Sequence, residues 1–181
     1  MIRQKLCAIS DTGPLISAFQ SESIPILKQV FSTVLLSPTC HSELVEHGWE
    51  EELRSVTPYI QKLTLTDSEQ QQAFSFAEQI ARHPDTHAPV AIEHLGEAES
   101  MALACRKELH GSLLLLDESA ARSIAKQAGI TFSGFPGVRL LAAQKEIIAA
   151  EEVKIRLEQC REQGTHYSMT FIRQIYEKAL E

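Results

Sequence analysis

The 181-residue chain is 44% hydrophobic and 23% charged, the balance of an ordinary soluble globular domain with a real core. Collagen-like, disordered and membrane-spanning readings are excluded, since no apolar run approaches the ~18–20 residues of a spanning helix. The net charge of −7, from 24 acidic and 17 basic residues, speaks against holding nucleic acid by a broad basic surface. It leaves room for an enzyme that meets nucleic acid through cations.

At the N-terminus Arg3 and Lys5 precede only a short apolar stretch over residues 6–9. That is too little for a signal peptide, and a cytoplasmic protein is expected. The four cysteines, Cys7, Cys40, Cys105 and Cys160, form no C-x-x-C pair. They read as reduced, structural residues.

In chain order, the apolar run LCAIS at residues 6–10 ends in Asp11-Thr12-Gly13-Pro14, which predicts a strand, a tight turn and a helix over 14–19. A second helix is expected over 24–31, then a β-branched strand, TVLL, over 33–36. Ser37-Pro38 repeats the strand-to-helix signal, and Gly48 suggests a stop, so a helix is expected over 38–47. Residues 60–65 are either a strand or an extended connection. Thr66 and Glu69 form a capping-box pattern. Ala73, Phe76, Ala77 and Ile80 then fall at the helical period. The stretch 83–95, with two prolines, reads as a loop.

Gly96 opens a helix whose apolar stripe is Ala98, Met101, Ala102, Cys105 and Leu109, broken at Gly111. SLLLL at 112–116 reads as a strand buried on both faces and ended by Asp117. A helix with Ala121, Ile124, Ala125 and Ala128 follows, and Gly129 leads to a last short strand over 130–132. Helices near 138–149, 151–163 and 169–180 complete the chain, the last burying Ile172, Ile175, Tyr176 and Ala179. The alternation predicts a three-layer α/β/α sandwich with a mainly parallel sheet. Residues 1–136 would be the core. Residues 137–181 would be a helical extension packed on it or on a partner, one domain overall.

In open parallel sheets, ligands bind beyond the carboxyl ends of the strands. Asp11 and Asp117 occupy such ends, while Glu43 and Glu97 lie on helices that follow turns. Four carboxylates converging on one pocket would repel in a low-dielectric cleft unless hard divalent cations sat among them. Such a site suits metal-assisted phosphodiester hydrolysis. Each acid also has a plainer reading. Asp11 or Asp117 would serve as a helix cap, Glu118 would complement a helix dipole, and Glu43 and Glu46 would be solvated. Glu97 and Glu99 flank the buried stripe on opposite sides, and the helical wheel does not choose between them.

The ordered segments AISDTGPLISAF, SPTCHSELVEH, LGEAESMALA and LLLLDESAARSIAKQAGI resemble the PIN-domain ribonucleases. They are most similar to the branch related to VapC-type toxins, in which the third acid follows a Gly-Glu pair. The resemblance implies a PIN-like fold and a cytoplasmic Mg²⁺- or Mn²⁺-dependent endoribonuclease, in a toxin–antitoxin role. Asp11, Glu43, Glu97 and Asp117 would be its metal-holding and catalytic acids. Thr12, Glu99 and Glu118 would support them, and Arg122 and Lys126 would meet RNA phosphates. RNA would be the substrate, a small antitoxin or a second copy the partner, and no membrane is implied. Glu at the third position, where many relatives hold Asp, lengthens that arm.

Other readings are weaker. His83 and His87 lie at i and i+4, but Pro84 breaks the helix that would align them for zinc. His94 would assist protons near the pocket or simply pack. Ser10 and Ser37 lack a G-x-S-x-G context, and neither a P-loop nor a dinucleotide fingerprint occurs. A strand-end Asp also serves phosphotransfer proteins, which need a second Asp two residues on; Gly13 stands there. A PIN-fold interaction protein with weakened carboxylates is the remaining alternative.

Overall fold

The computed structural model describes residues 6–181; the segment holding Arg3 and Lys5 lies outside them. The elements run β1 (Leu6–Ser10), α1 (Thr12–Gln20), α2 (Ile24–Val30), β2 (Phe31–Leu36), α3 (Pro38–Glu46), α4 (Glu50–Ser55), β3 (Ile60–Lys62) and α5 (Asp67–Ala81). After a 3₁₀ turn at Ala91–His94 come α6 (Leu95–Ala104), a second 3₁₀ turn at Lys107–Leu109, β4 (Leu113–Leu115), α7 (Ser119–Gln127) and β5 (Phe132–Ser133). The helices α8 (Phe135–Gln144), α9 (Ala150–Glu162) and α10 (Met169–Ala179) close the chain.

The strands form one parallel sheet in the order β3-β2-β1-β4-β5. Side chains alternate across a pleated strand, and the sheet is buried on both faces. Ala8, Val34, Leu36 and Leu115 point into one core with Leu15, Leu27, Leu44, Phe135, Val138, Val153, Leu157 and Ile172. Ile9, Leu35, Leu114 and Leu116 point into the other, with Ala77, Ile80, Met101, Ile124 and Ala125. Helices α1, α2, α3 and α8–α10 therefore cover one face and α5–α7 the other. This is the three-layer parallel α/β/α sandwich.

The C-terminal helices share the core of α1, and α8 runs across the 136/137 boundary. Arg139 of α8 is also enclosed. Its guanidinium lies over the Phe135 ring at 5.2 Å and donates to Ser21 and Ser23, while Nε and Nη1 have no partner among the described residues.

Several boundaries differ from expectation. Helix α1 begins at Thr12, because Pro14 is tolerated within a first turn. Phe31 opens β2 instead of closing α2, and α4 falls where no element is expected. The expected stripe to Leu109 is cut short, since α6 ends at Ala104. Arg106 takes an extended backbone and pairs bidentately with Glu69 at 2.8 and 2.7 Å. A tertiary ion pair overrides the helical period there. The last strand is Phe132–Ser133 rather than 130–132, and α8 runs Phe135–Gln144 rather than 138–149, with Gly134 at its N-cap position. On α10 only Ile172 is buried; Ile175, Tyr176 and Ala179 are half-buried.

Candidate metal centre

The strand order turns back at β1: β2 and β3 lie on one side, β4 and β5 on the other. A crevice opens at such a switch, outside the carboxyl ends of the two strands. Asp11 follows β1, and its N–H donates to Leu115 O at 3.0 Å, continuing the β1–β4 pairing past the strand end. Asp11 stands at the N-cap position of α1 with extended backbone, yet its side chain makes no capping bond. Its carboxylate is buried and turned to the crevice instead. Asp117 lies across from it. The two Oδ2 atoms are 3.9 and 4.0 Å from the point where a Cβ on Gly13 would stand.

Glu43 reaches the same place from α3, whose start is fixed by Ser37 accepting from Cys40 N at 3.1 Å. The Thr12 hydroxyl donates to Glu43 Oε2. Ligand atoms of Asp11, Cys40 and Glu43 lie within 4.8 Å of one another. Cys40, one turn before Glu43, places its sulfur 3.6 Å from Asp11 Oδ1 and 3.3 Å from Gly96 O. Gly96 is a fitting point that sequence reading missed. A Cβ there would stand 3.1 and 3.2 Å from the Glu43 carboxylate oxygens and 3.3 Å from Cys40 Sγ. The glycine lets α6 bring Glu97 in against α3.

Glu97 and Glu99 part company in the structure. Glu97 raises the proton affinity of Asp11 and is itself raised by Glu43 and Glu118. Glu99 turns to the start of α3 and accepts from Thr39 N at 3.0 Å. Asp117 and Glu118 separate in the same way. Asp117 Oδ1 accepts from Phe135 N at 3.0 Å, tying the acid to the first turn of α8. Glu118 is the N-cap of α7, accepting from Ala121 N at 2.5 Å. Gly134 matters as Gly96 does, since a Cβ on it would stand 2.5 Å from Asp117 Oδ1.

Electrostatics follow from this crowding. Burial, then the Glu97, Glu43 and Asp117 charges, hold Asp11 well above the usual carboxylate range against one backbone hydrogen bond. Burial first, then Glu43 and Glu118, push Glu97 up to about 7. Burial raises Asp117 to about 6, although the Phe135 N–H and the Arg122 charge oppose it. The Cys40 thiol is pushed well up by burial and by Asp11, so it stays neutral beside the carboxylates. The donors on offer are thus carboxylate oxygens, which fit a hard divalent cation such as Mg²⁺ or Mn²⁺.

The remaining candidates are accounted for locally. Arg122 lies on α7 with its guanidinium 5.2 Å over the Phe132 ring, and Lys126 is exposed one turn further on. His83 Nε2 lies 3.0 Å from Ser123 Oγ, and the ring of His87 meets that of His94 edge-on at 5.1 Å. His94 is fully buried with Nε2 2.7 Å from Ala88 O, so it packs and ties down the preceding loop. The Ser10 hydroxyl donates to Asp11 O at 2.8 Å. No helix among the described residues is long and apolar enough to cross a membrane.

An all-parallel sandwich with acids gathered at the β1/β4 switch is the build of a PIN domain, a fold of nuclease type, and the family comparison agrees. The model of the family DUF3368, described as a PIN domain, matches residues 7–181, and the chain belongs to that family. No curated protein matches it.

Proposed function

We propose that the chain is a Mg²⁺- or Mn²⁺-dependent endoribonuclease acting in the cytoplasm, as the toxin-like member of a pair whose small partner blocks the acidic pocket. The Gly96-Glu97 pair supports placing it near the VapC-type branch. The observation that carries the reading is the convergence of Asp11 and Glu43 with Glu97 and Asp117 at the switch point. Asp11 is buried and Glu43, Glu97 and Asp117 are half-buried, and among the described residues the Arg122 charge is felt at Asp117 alone of the four, so a cluster of this sign calls for a cation.

Asp11, Glu43, Glu97 and Asp117 would hold the metal. Bound there, it would supply activation of water and neutralise charge on the scissile phosphate. Thr12 keeps the Glu43 carboxylate turned toward Asp11. Gly96 and Gly134 leave room for the acids to take up these positions, and Phe135 N–H anchors Asp117. A phosphotransfer reading is disfavoured, because Asp11 is only 7% exposed and Gly13 stands where a second acid would be needed.

The test is cleavage of single-stranded RNA with Mn²⁺ present, by wild type and Asp11→Asn. Wild type should release fragments and lose that activity in EDTA, and Asp11→Asn should fall to background with an unchanged circular dichroism spectrum. Parental cutting by Asp11→Asn would remove the assignment. Metal binding without any turnover would favour the interaction-protein alternative.

A further inference from the structure

Beside Asp117, a cleft of about 470 Å³ opens between the sheet edge and the start of α10. That volume lies within the ~300–1,000 Å³ of small-ligand sites. Asp117 and Ser133 form one side, Arg122 borders it, and His166, Tyr167 and Phe171 line the other. The rings of Tyr167 and Phe171 lie 5.7 Å apart and tilted by 36°. Phe171 is half-buried and His166 exposed. Arg122, His166, Tyr167 and Phe171 lie outside the set of four acids, to which they are linked by the charge that Arg122 exerts on Asp117 and that Asp117 exerts on Tyr167.

The cleft joins three features that a single-stranded nucleotide needs together. Aromatic rings offer a face or edge to a base, a guanidinium offers charge to a phosphate, and one wall is an acid of the candidate metal centre. A net charge of −7 speaks against holding RNA by a broad basic surface, which leaves the binding to metal ions, local stacking and well-placed cationic side chains. We infer that this cleft is the subsite for the nucleotide flanking the scissile phosphate, with its base against Phe171 and Tyr167 and its phosphate toward Arg122. The inference rests on the nuclease reading of the adjoining acids.

The test measures binding and cutting separately. A short single-stranded oligoribonucleotide carrying 2-aminopurine is titrated in EDTA against wild type, Phe171→Ala and Arg122→Ala, and the same variants are assayed for cleavage with Mn²⁺. One stacked base is worth at least about fivefold in affinity. Each substitution should therefore weaken binding fivefold or more in EDTA, and should raise KM by a larger factor than it lowers kcat. Mn²⁺ affinity should be unchanged in Phe171→Ala, which reports an intact fold and metal centre; for Arg122→Ala, whose lost charge acts on Asp117, an unchanged circular dichroism spectrum reports the fold. Arg122 is exposed on α7, so its variant stays informative if Phe171→Ala fails to fold.

Binding by both variants equal to wild type overturns the inference, and the cleft would then suit a protein partner. If wild type cuts RNA while the variants keep its KM, the subsite falls and the nuclease reading stands. If wild type binds but never cuts, and the variants still lose affinity, the cleft stands as a single-strand nucleotide site without a scissile phosphate and the nuclease reading falls.

Discussion

Replacing Glu97 and Glu99 separately by Gln asks the structure which carboxylate belongs to the metal centre. Glu97 is lifted from 4.5 to about 7, chiefly by burial. A fully sealed carboxyl lifted that far corresponds to roughly 3 kcal/mol. Glu97 is half-buried, and solvent screening leaves a share of about 1–2 kcal/mol. The native state holds this proton more tightly than the unfolded chain does. Its contribution to stability is therefore fully present below about pH 4.5 and is lost as pH rises through about 7.

Glutamine mimics the protonated acid, so in EDTA Glu97→Gln and wild type should melt together near pH 4.5. At pH 8 the variant should melt about 2–8 °C higher, taking ~2–4 °C per kcal/mol for a chain of this size. A residual slope remains from Asp11 and Asp117, which are raised for the same reason. Mn²⁺ at a hundredfold excess over its Kd should add about 2.7 kcal/mol to wild type, and most of that gain should vanish in Glu97→Gln. Glu99→Gln should keep the whole Mn²⁺ response and lose about 0.5–1 kcal/mol from its bond to Thr39 N. Differential scanning fluorimetry across pH, with and without Mn²⁺, reads all of this. Equal Mn²⁺ responses in the two variants, or a wild-type pH slope in Glu97→Gln, would refute the reasoning.

Gly96→Ala should leave the melting temperature almost unchanged, because alanine suits a helix better than glycine. It should also weaken Mn²⁺ binding by roughly 10–100-fold, since Glu43 must move to clear the new methyl; isothermal titration with Mn²⁺ decides it. Arg139→Met should raise the melting temperature by a few degrees. The buried guanidinium has two nitrogens without partners among the described residues, and an apolar side chain of similar volume often gains about 1 kcal/mol or more over such a charge. A fall of several degrees would mean that a partner satisfies those nitrogens.

Much of this architecture can be read from residues 6–133 alone. Apolar runs closed by Asp11, Ser37-Pro38 and Asp117 mark the strands at the middle of the sheet, because strands buried on both faces admit little else. The choice between Glu97 and Glu99 is not legible, since both flank one stripe and only the position of α3 separates them. Cys40 looks like a core residue because it is one; that it also borders Asp11 follows from its place one turn before Glu43. The end of α6 is hidden because Arg106 answers to Glu69, a residue far back in the chain. The aromatic wall beside Asp117 is invisible for a like reason. His166, Tyr167 and Phe171 read as an ordinary helix approach until α10 is folded back on the body.

The central strand is made first and completed late. Ala8 of β1 pairs with Val34 on one side and with Leu113 on the other, about 105 residues later in the chain. At synthesis rates of ~5–20 residues per second, roughly 5–20 s pass before β4 has even been made. During that interval a hydrophobic strand with one bare edge waits beside β2, open to any other extended segment. Asp11 and Asp117 come together only in the step that closes this edge. The pairing of β4 with β1 is therefore also the step that brings in the fourth acid, so a chain stalled or truncated before residue 113 carries Asp11, Glu43 and Glu97 but lacks Asp117.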